Sequence, residues 1–280
     1  MASGDGEKSA PRNGNGKGSG EAGHGVGASG DAKTRRTAGR TPCELCPLRM
    51  LDHFRPFSQP ELDFVSTFKM GELAVDPGTT VLAEGTRAAH LYTVLDGWGF
   101  RYKTLEDGRR QILNFLMPGD LVGLQGSLMG EMQHSVEALS PMSLCVFERT
   151  RLHEIFENYS DLAYDLTWIA SREERILDEN LLSIGRRTAL ERAAYLLVFL
   201  YQRGRAVRLF GGANNIVTIT QQHVADTLGL SIVHTNKTLR KLAQRGLVRW
   251  AERGYEVLDE EALMEIAHFE GYKEKRRPFI

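Results

Sequence analysis

The sequence contains no apolar run near the ~18–20 residues a bilayer-crossing helix needs, and its longest apolar patch, AAYLLVFLY at 193–201, reads as a buried helix. No apolar stretch follows the first methionine, so secretion is not expected. Cysteine is scarce. Three residues among 280 are too few and too odd in number for a disulfide scaffold, which favours a reducing cytoplasm. In that setting a C-x-x-C pair such as Cys43 and Cys46 is more often metal-binding or redox-active than structural. A nucleotide-phosphate loop, paired carboxylates in an evident cleft and a Ser/His/Asp constellation are all missing, so no enzyme is expected. A thiol oxidoreductase would need its C-x-x-C to open a helix within a βαβ unit. Here the pair follows a glycine-rich stretch and precedes a proline-containing turn.

Net charge is also nearly absent, at −1, but it is divided along the chain. Residues 43–182 carry 12 Lys/Arg against 22 Asp/Glu, and residues 183–280 carry 16 against 10. An acidic middle joined to a basic end implies two domains with different partners, the basic one suited to a polyanion. Residues 1–41 hold 11 of the 29 glycines and almost no large apolar side chains, so they are expected to form a disordered tail.

From about 60 to 150 short strand-like runs alternate with turn signals. Asp107-Gly108, between FRYKTL and RQILNF, is a hairpin signal. Closely spaced strands of this kind indicate an antiparallel barrel or roll. The period then changes. Residues 152–185 read as one long helix, with Leu162, Leu166, Ile169, Ile176 and Leu177 in an apolar stripe that suits pairing with a twin. A shorter helix, 188–204, is expected to end at Gly204, and IVTIT (216–220) reads as a strand.

The stretch TQQHVADTLGLSIVHTNKTLRKLAQRGLVRW (220–250) carries the most specific pattern. Thr220 and Ser231 are placed to cap two helices, Gly229 permits the tight turn between them, and residues 247–258 read as a β-wing. In a winged helix-turn-helix the second helix enters the DNA major groove. Its exposed face would comprise Ser231, Ile232, Val233, His234, Asn236, Lys237 and Arg240. Asn pairs bidentately with adenine, Lys donates to guanine, and Val233 offers only apolar contact.

Roll, long helix and helix-turn-helix in this order resemble the cyclic-AMP receptor protein/fumarate-nitrate regulator superfamily of bacterial transcription factors. The resemblance rests on GRRQILNFLMPGDLVGLQ (108–125), EALSPMSLCVFERTRL (137–152) and ITQQHVADTLGLSIVHTNKTLRKLAQRGLV (219–248). It implies an α+β chain with a cyclic-nucleotide-binding-like antiparallel β-roll (42–152), a dimerisation helix (153–184) and a C-terminal winged helix-turn-helix domain (185–280). It also implies a homodimer in the cytoplasm that binds promoter DNA and contacts RNA polymerase, with no membrane partner. At the reading face the family's usual acidic residue is replaced, the run being Val233-His234-Thr235-Asn236-Lys237, so an altered operator is expected. Cyclic-nucleotide sensing is disfavoured: Gly130-Glu131 is present, but no arginine lies in 131–144 to compensate a buried phosphate.

The oxygen-sensing branch of the superfamily is more similar, and it holds an iron–sulfur cluster. That likeness implies Cys43, Cys46 and Cys145 as thiolate ligands. A further cysteine usual in that branch is missing from 47–57, where Asp52 and His53 stand at about the right distance to supply a fourth ligand. Three readings of the thiols stand side by side: a labile iron–sulfur cluster, a dithiol–disulfide switch, and a structural zinc or vestigial site. Cys145, flanked by Leu144, Val146 and Phe147, also suits simple burial as a small apolar residue.

Overall fold

A computed structural model describes residues 41–211, 215–273 and 276–280. The expected disordered tail, 1–41, lies outside the described residues save for Thr41. Two 3₁₀ turns, Cys43–Leu45 and Pro47–Met50, lead into α1 (Gln59–Phe68). A capping box starts α1: Ser58 N donates to Glu61 Oε2 at 2.6 Å, satisfying a backbone donor the helix cannot.

Eight strands follow among the described residues: β1 (Lys69–Val75), β2 (Thr80–Leu82), β3 (His90–Asp96), β4 (Gly99–Thr104), β5 (Arg110–Leu116), β6 (Leu121–Val122), β7 (Ser135–Ala138) and β8 (Met142–Glu148). A short helix, α2 (Leu124–Met129), separates β6 from β7. The strands form two antiparallel four-stranded sheets, ordered β1-β8-β3-β6 and β2-β7-β4-β5. The Asp107-Gly108 turn joins β4 to β5, and Gly108 takes the left-handed φ of 84° that the turn requires.

The two-residue period of the strands decides what each face holds. Leu82, Val94, Leu116, Val136 and Leu144 fill the roll's interior. Cys145 and Phe147 lie on the opposite face of β8, under α1, with Phe147 stacked on Phe68 at 5.0 Å.

The helical stretch beyond the roll is two helices rather than one, α3 (Leu152–Asn158) and α4 (Ser160–Arg186). Tyr159 breaks the run with φ −133° and ψ 75°, and its ring packs 4.3 Å from that of Phe64. The stripe expected to face a twin instead packs on the protein's own core: Leu162, Leu166, Ile169 and Ile176 are buried. Of that stripe only Leu177 is exposed, together with Tyr164 and Leu181 from other positions on α4.

The next helix, α5 (Ala189–Ala206), runs through Gly204 instead of ending there. A Cβ at Gly204 would sit 2.1 Å from the Phe210 ring, so this glycine serves close packing, not termination. IVTIT forms only a single bridge, Val217 to Tyr255, because the chain turns at once to cap α6 (Gln221–Leu228). Then come α7 (Ile232–Gln244), the hairpin β9 (Val248–Ala251) and β10 (Gly254–Val257), and α8 (Glu260–Ala267). Tyr255 Oη, fully buried, donates to Leu197 O at 2.6 Å and fixes the hairpin on α5.

The described residues belong to one compact unit, and polar ties cross it. Arg110 of β5 meets Asp226 of α6 at 2.9 Å, and Gln111 Nε2 donates to Thr227 O at 2.9 Å. At the centre, buried Asp120 accepts from Arg172 of α4, Arg203 of α5 and Arg277.

Candidate functional site

The helix-turn-helix is built by caps and a turn. Thr220 Oγ1 accepts from His223 N at 3.2 Å, and Ser231 Oγ accepts from His234 N at 3.3 Å. Gly229 takes the left-handed conformation (φ 63°, ψ 34°), and Leu230 N donates back to Ala225 O at 3.2 Å. Helical spacing buries Thr235, Thr238, Leu239 and Leu242. The opposite face exposes Ser231, Ile232, Val233, His234, Lys237 and Arg240, with Asn236 half-buried between them. No acidic residue lies anywhere in α7, so Lys237, Arg240 and Lys241 give it an undivided positive face. Asn236 Oδ1 is buried and has no hydrogen-bond partner. An acceptor left in that state costs about 1–3 kcal/mol.

A second constellation lies on the outer face of the roll. Cys43 opens the first 3₁₀ turn and Cys46 joins it to the second, its amide donating to Cys43 O at 3.3 Å. Cys145 of β8 pairs with Glu72 on one side and Thr93 on the other. All three cysteines line one small apolar cavity of about 20 Å³, together with Lys69, Phe279 and Ile280. Lys69 is buried beneath them and donates to Glu72 Oε1 at 2.7 Å and Thr41 O at 2.8 Å. Burial pushes the Cys46 thiol up, and pushes Cys145 up to about 12 against the opposing pull of Lys69. Burial therefore works against the thiolate form at both positions.

Asp52 and His53 do not reach this cavity. Asp52 is exposed, and His53 Nε2 accepts from Arg277 Nε at 3.2 Å beside the Tyr272 ring. Among the described residues no group of three or more His, Cys, Asp or Glu side chains stands at metal-holding spacing. Three thiols without a fourth ligand and one or two waters' worth of space do not fit an iron–sulfur cluster in this arrangement. The expectation of Asp52 or His53 as a fourth ligand is corrected by the same geometry: the turn after Met50 carries both away from the thiols.

The roll's interior is unsuited to a cyclic nucleotide. Aliphatic side chains fill it, and the buried His134 is held neutral, down to about 4, first by burial and then by Arg101 and Lys103. The Asp120 cluster was missed by sequence reasoning. Its members are 52, 83 and 157 residues apart, with no local period to connect them; only PGD was legible, as a turn.

A strand roll carrying a helical domain whose second helix presents a bare cationic face defines a DNA-binding transcription regulator. Residues 72–159 match the cyclic nucleotide-binding domain family and residues 191–266 match the Crp-like helix-turn-helix domain. The chain belongs to the CRP/FNR family of transcription regulators. It is 32% identical over 219 residues to the nitrogen fixation regulation protein FixK of Rhizobium meliloti, covering 76% of this chain and 90% of that one. It is 27% identical to the transcriptional activator protein FnrL of Cereibacter sphaeroides, over 74% of this chain and 83% of the relative. The solved structure of FixK2 from Bradyrhizobium japonicum superposes with a TM-score of 0.61 at 25% identity, over 70% of this chain and 96% of that one. No helix among the described residues is long and apolar enough to cross a membrane.

Proposed function

We propose that the chain is a cytoplasmic, homodimeric regulator that reads a two-fold symmetric promoter site with α7 and adjusts that reading to oxygen or redox state through its thiols. The observation that carries the sensory part is the convergence of Cys43, Cys46 and Cys145 on one cavity from positions about a hundred residues apart. In this reading the thiols respond as a dithiol–disulfide pair, and no step passes through a metal cluster.

The acid-free face of α7 supports the DNA part. Asn236 and Lys237 read base edges, Arg240 holds phosphate, and Val233 meets a thymine methyl. One such helix reads only three or four bases, so a second copy is needed for a site of useful length. Tyr164, Leu177 and Leu181 on the free side of α4 form the face for that copy. RNA polymerase is the proposed protein partner at the promoter.

The test is fluorescence anisotropy with palindromes selected from random duplex, using reduced protein and protein treated with a disulfide oxidant. The expected result is a salt-sensitive preference that changes on oxidation and loses that dependence in Cys43→Ala and Cys145→Ala. Equal affinity in both redox states refutes the sensory part, and no preference over random duplex refutes the whole.

A further inference from the structure

The segment Arg276–Ile280 returns from the DNA-binding module to the roll. Arg277 N donates to His53 O at 2.8 Å, and Arg55 N donates to Arg277 O at 3.0 Å. The Arg277 guanidinium is buried, donating to Pro118 O at 2.9 Å, Gly119 O at 3.0 Å and Asp120 at 3.2 Å, with its carbon 4.6 Å from the centre of the Phe54 ring. Phe279 stacks on Phe57 at 4.9 Å and leans on Phe54 at 4.8 Å. Thr93 Oγ1 donates to Ile280 O. Phe279 and Ile280, 3% and 4% exposed, form part of the wall of the thiol cavity.

The receiving surface is shaped for this segment. A Cβ on Gly119 would come within 2.3 Å of the Phe54 ring and 3.0 Å of Arg277, so only glycine leaves room for both. The polar part of the seat does not depend on Arg277 alone. Asp120 keeps Arg172 and Arg203 if Arg277 withdraws, and withdrawal removes one of three cations crowded on one carboxylate. Pro118 O and Gly119 O would then be open to water, so no buried acceptor would be stranded.

We propose that residues 277–280 are a latch over the inner wall of the thiol cavity: seated, they shut Cys145 from solvent while Cys46 stays half-buried, and released, they open Cys145 to modification. The latch is joined to the helix-turn-helix module through the nine residues that follow α8. Its state therefore bears on where that module sits. That consequence, unlike the latch itself, rests on the sensory reading given under Proposed function.

The test is alkylation of the reduced, full-length protein by iodoacetamide, followed cysteine by cysteine by mass spectrometry, in the wild type and in Phe279→Ala. The variant should modify Cys145 about tenfold faster, with half-buried Cys46 as the internal reference and helix content unchanged. Unchanged rates in a folded variant overturn the latch. Native-state hydrogen exchange on the wild type decides the matter even if Phe279→Ala does not fold. The Arg55 and Arg277 amides should exchange together and ahead of the α5 core, and exchange only with global unfolding overturns the latch. Faster alkylation with unaltered DNA binding supports the latch and removes the sensory reading instead.

Discussion

Asp120→Asn is expected to be among the most damaging single substitutions in this protein. The carboxylate is 2% exposed and accepts from Met117 N at 2.7 Å, Arg172 Nη1 at 3.3 Å, Arg277 Nη2 at 3.2 Å and Arg203 Nη2. Burial by itself would raise its pKa, but Arg203, Arg277 and Arg172 prevail and hold it below the ordinary 3.8. Burial, and then the neighbouring Arg172 guanidinium, push Arg277 down to about 10 against the pull of Asp120. The amide is nearly isosteric, so no cavity forms. What is lost is, among the described residues, the anion that Arg203 and Arg277 both touch. Breaking a buried pair by removing one partner costs about 3–5 kcal/mol. In a unit this size that corresponds to a drop in Tm of roughly 6–20 °C.

Urea titration with matched thermal melts would measure the effect. Arg277→Ala, which removes one of the three cations, should cost less than Asp120→Asn. The sign of the pH dependence follows from the lowered carboxyl. Asp120 contributes stability above the ordinary 3.8, and that contribution is lost as pH falls through its folded pKa. Asp120→Asn should therefore flatten the acid limb of the wild-type stability profile. A loss below about 1 kcal/mol, or an Arg277→Ala variant worse than Asp120→Asn, would refute the claim that the carboxylate holds these cations together.

Burial and then Arg101 and Lys103 depress His134 to about 4 from 6.5, so its neutral form is favoured in the fold. Stability should decline by about 3 kcal/mol as pH falls from 6.5 to 4, a dependence that His134→Leu should remove in pH-resolved melts. Gly254→Ala should cost more than about 2 kcal/mol, because its Cβ would stand 1.9 Å from Val217 O; a melt within error of wild type would refute the register of the wing. Asn236→Ala should relax selectivity at one base pair by about 1–3 kcal/mol, whereas Arg240→Ala should weaken binding to all duplexes and lower the salt slope by about one. Equal effects of both variants on specific and random DNA would put α7 outside the groove.

Local chemistry made some elements legible in the sequence. The Asp107-Gly108 hairpin, the caps Thr220 and Ser231 and the left-handed Gly229 each depend on residues within a few positions of one another, and backbone sterics and cap hydrogen bonds act at that range. The thiol pair at 43 and 46 was legible for the same reason. Where the sequence pattern misled, a distant neighbour outweighed a local rule. Gly204 reads as a helix terminator, yet the Phe210 ring packs on it and α5 continues past it. The α4 stripe reads as a dimer seam, yet it is buried on the protein's own core.

By itself, then, the sequence determined the roll, the capped helix pair with its cationic face, and the closely spaced thiol pair, because each follows from periodicity and short-range bonding. Only the tertiary structure decided which groups share a site. It moved Asp52 and His53 away from the thiols, gathered three arginines onto Asp120, and folded Phe279 and Ile280 over Cys145. Those outcomes depend on the electrostatics and packing of side chains up to about two hundred residues apart, and no pattern along the chain encodes such distances.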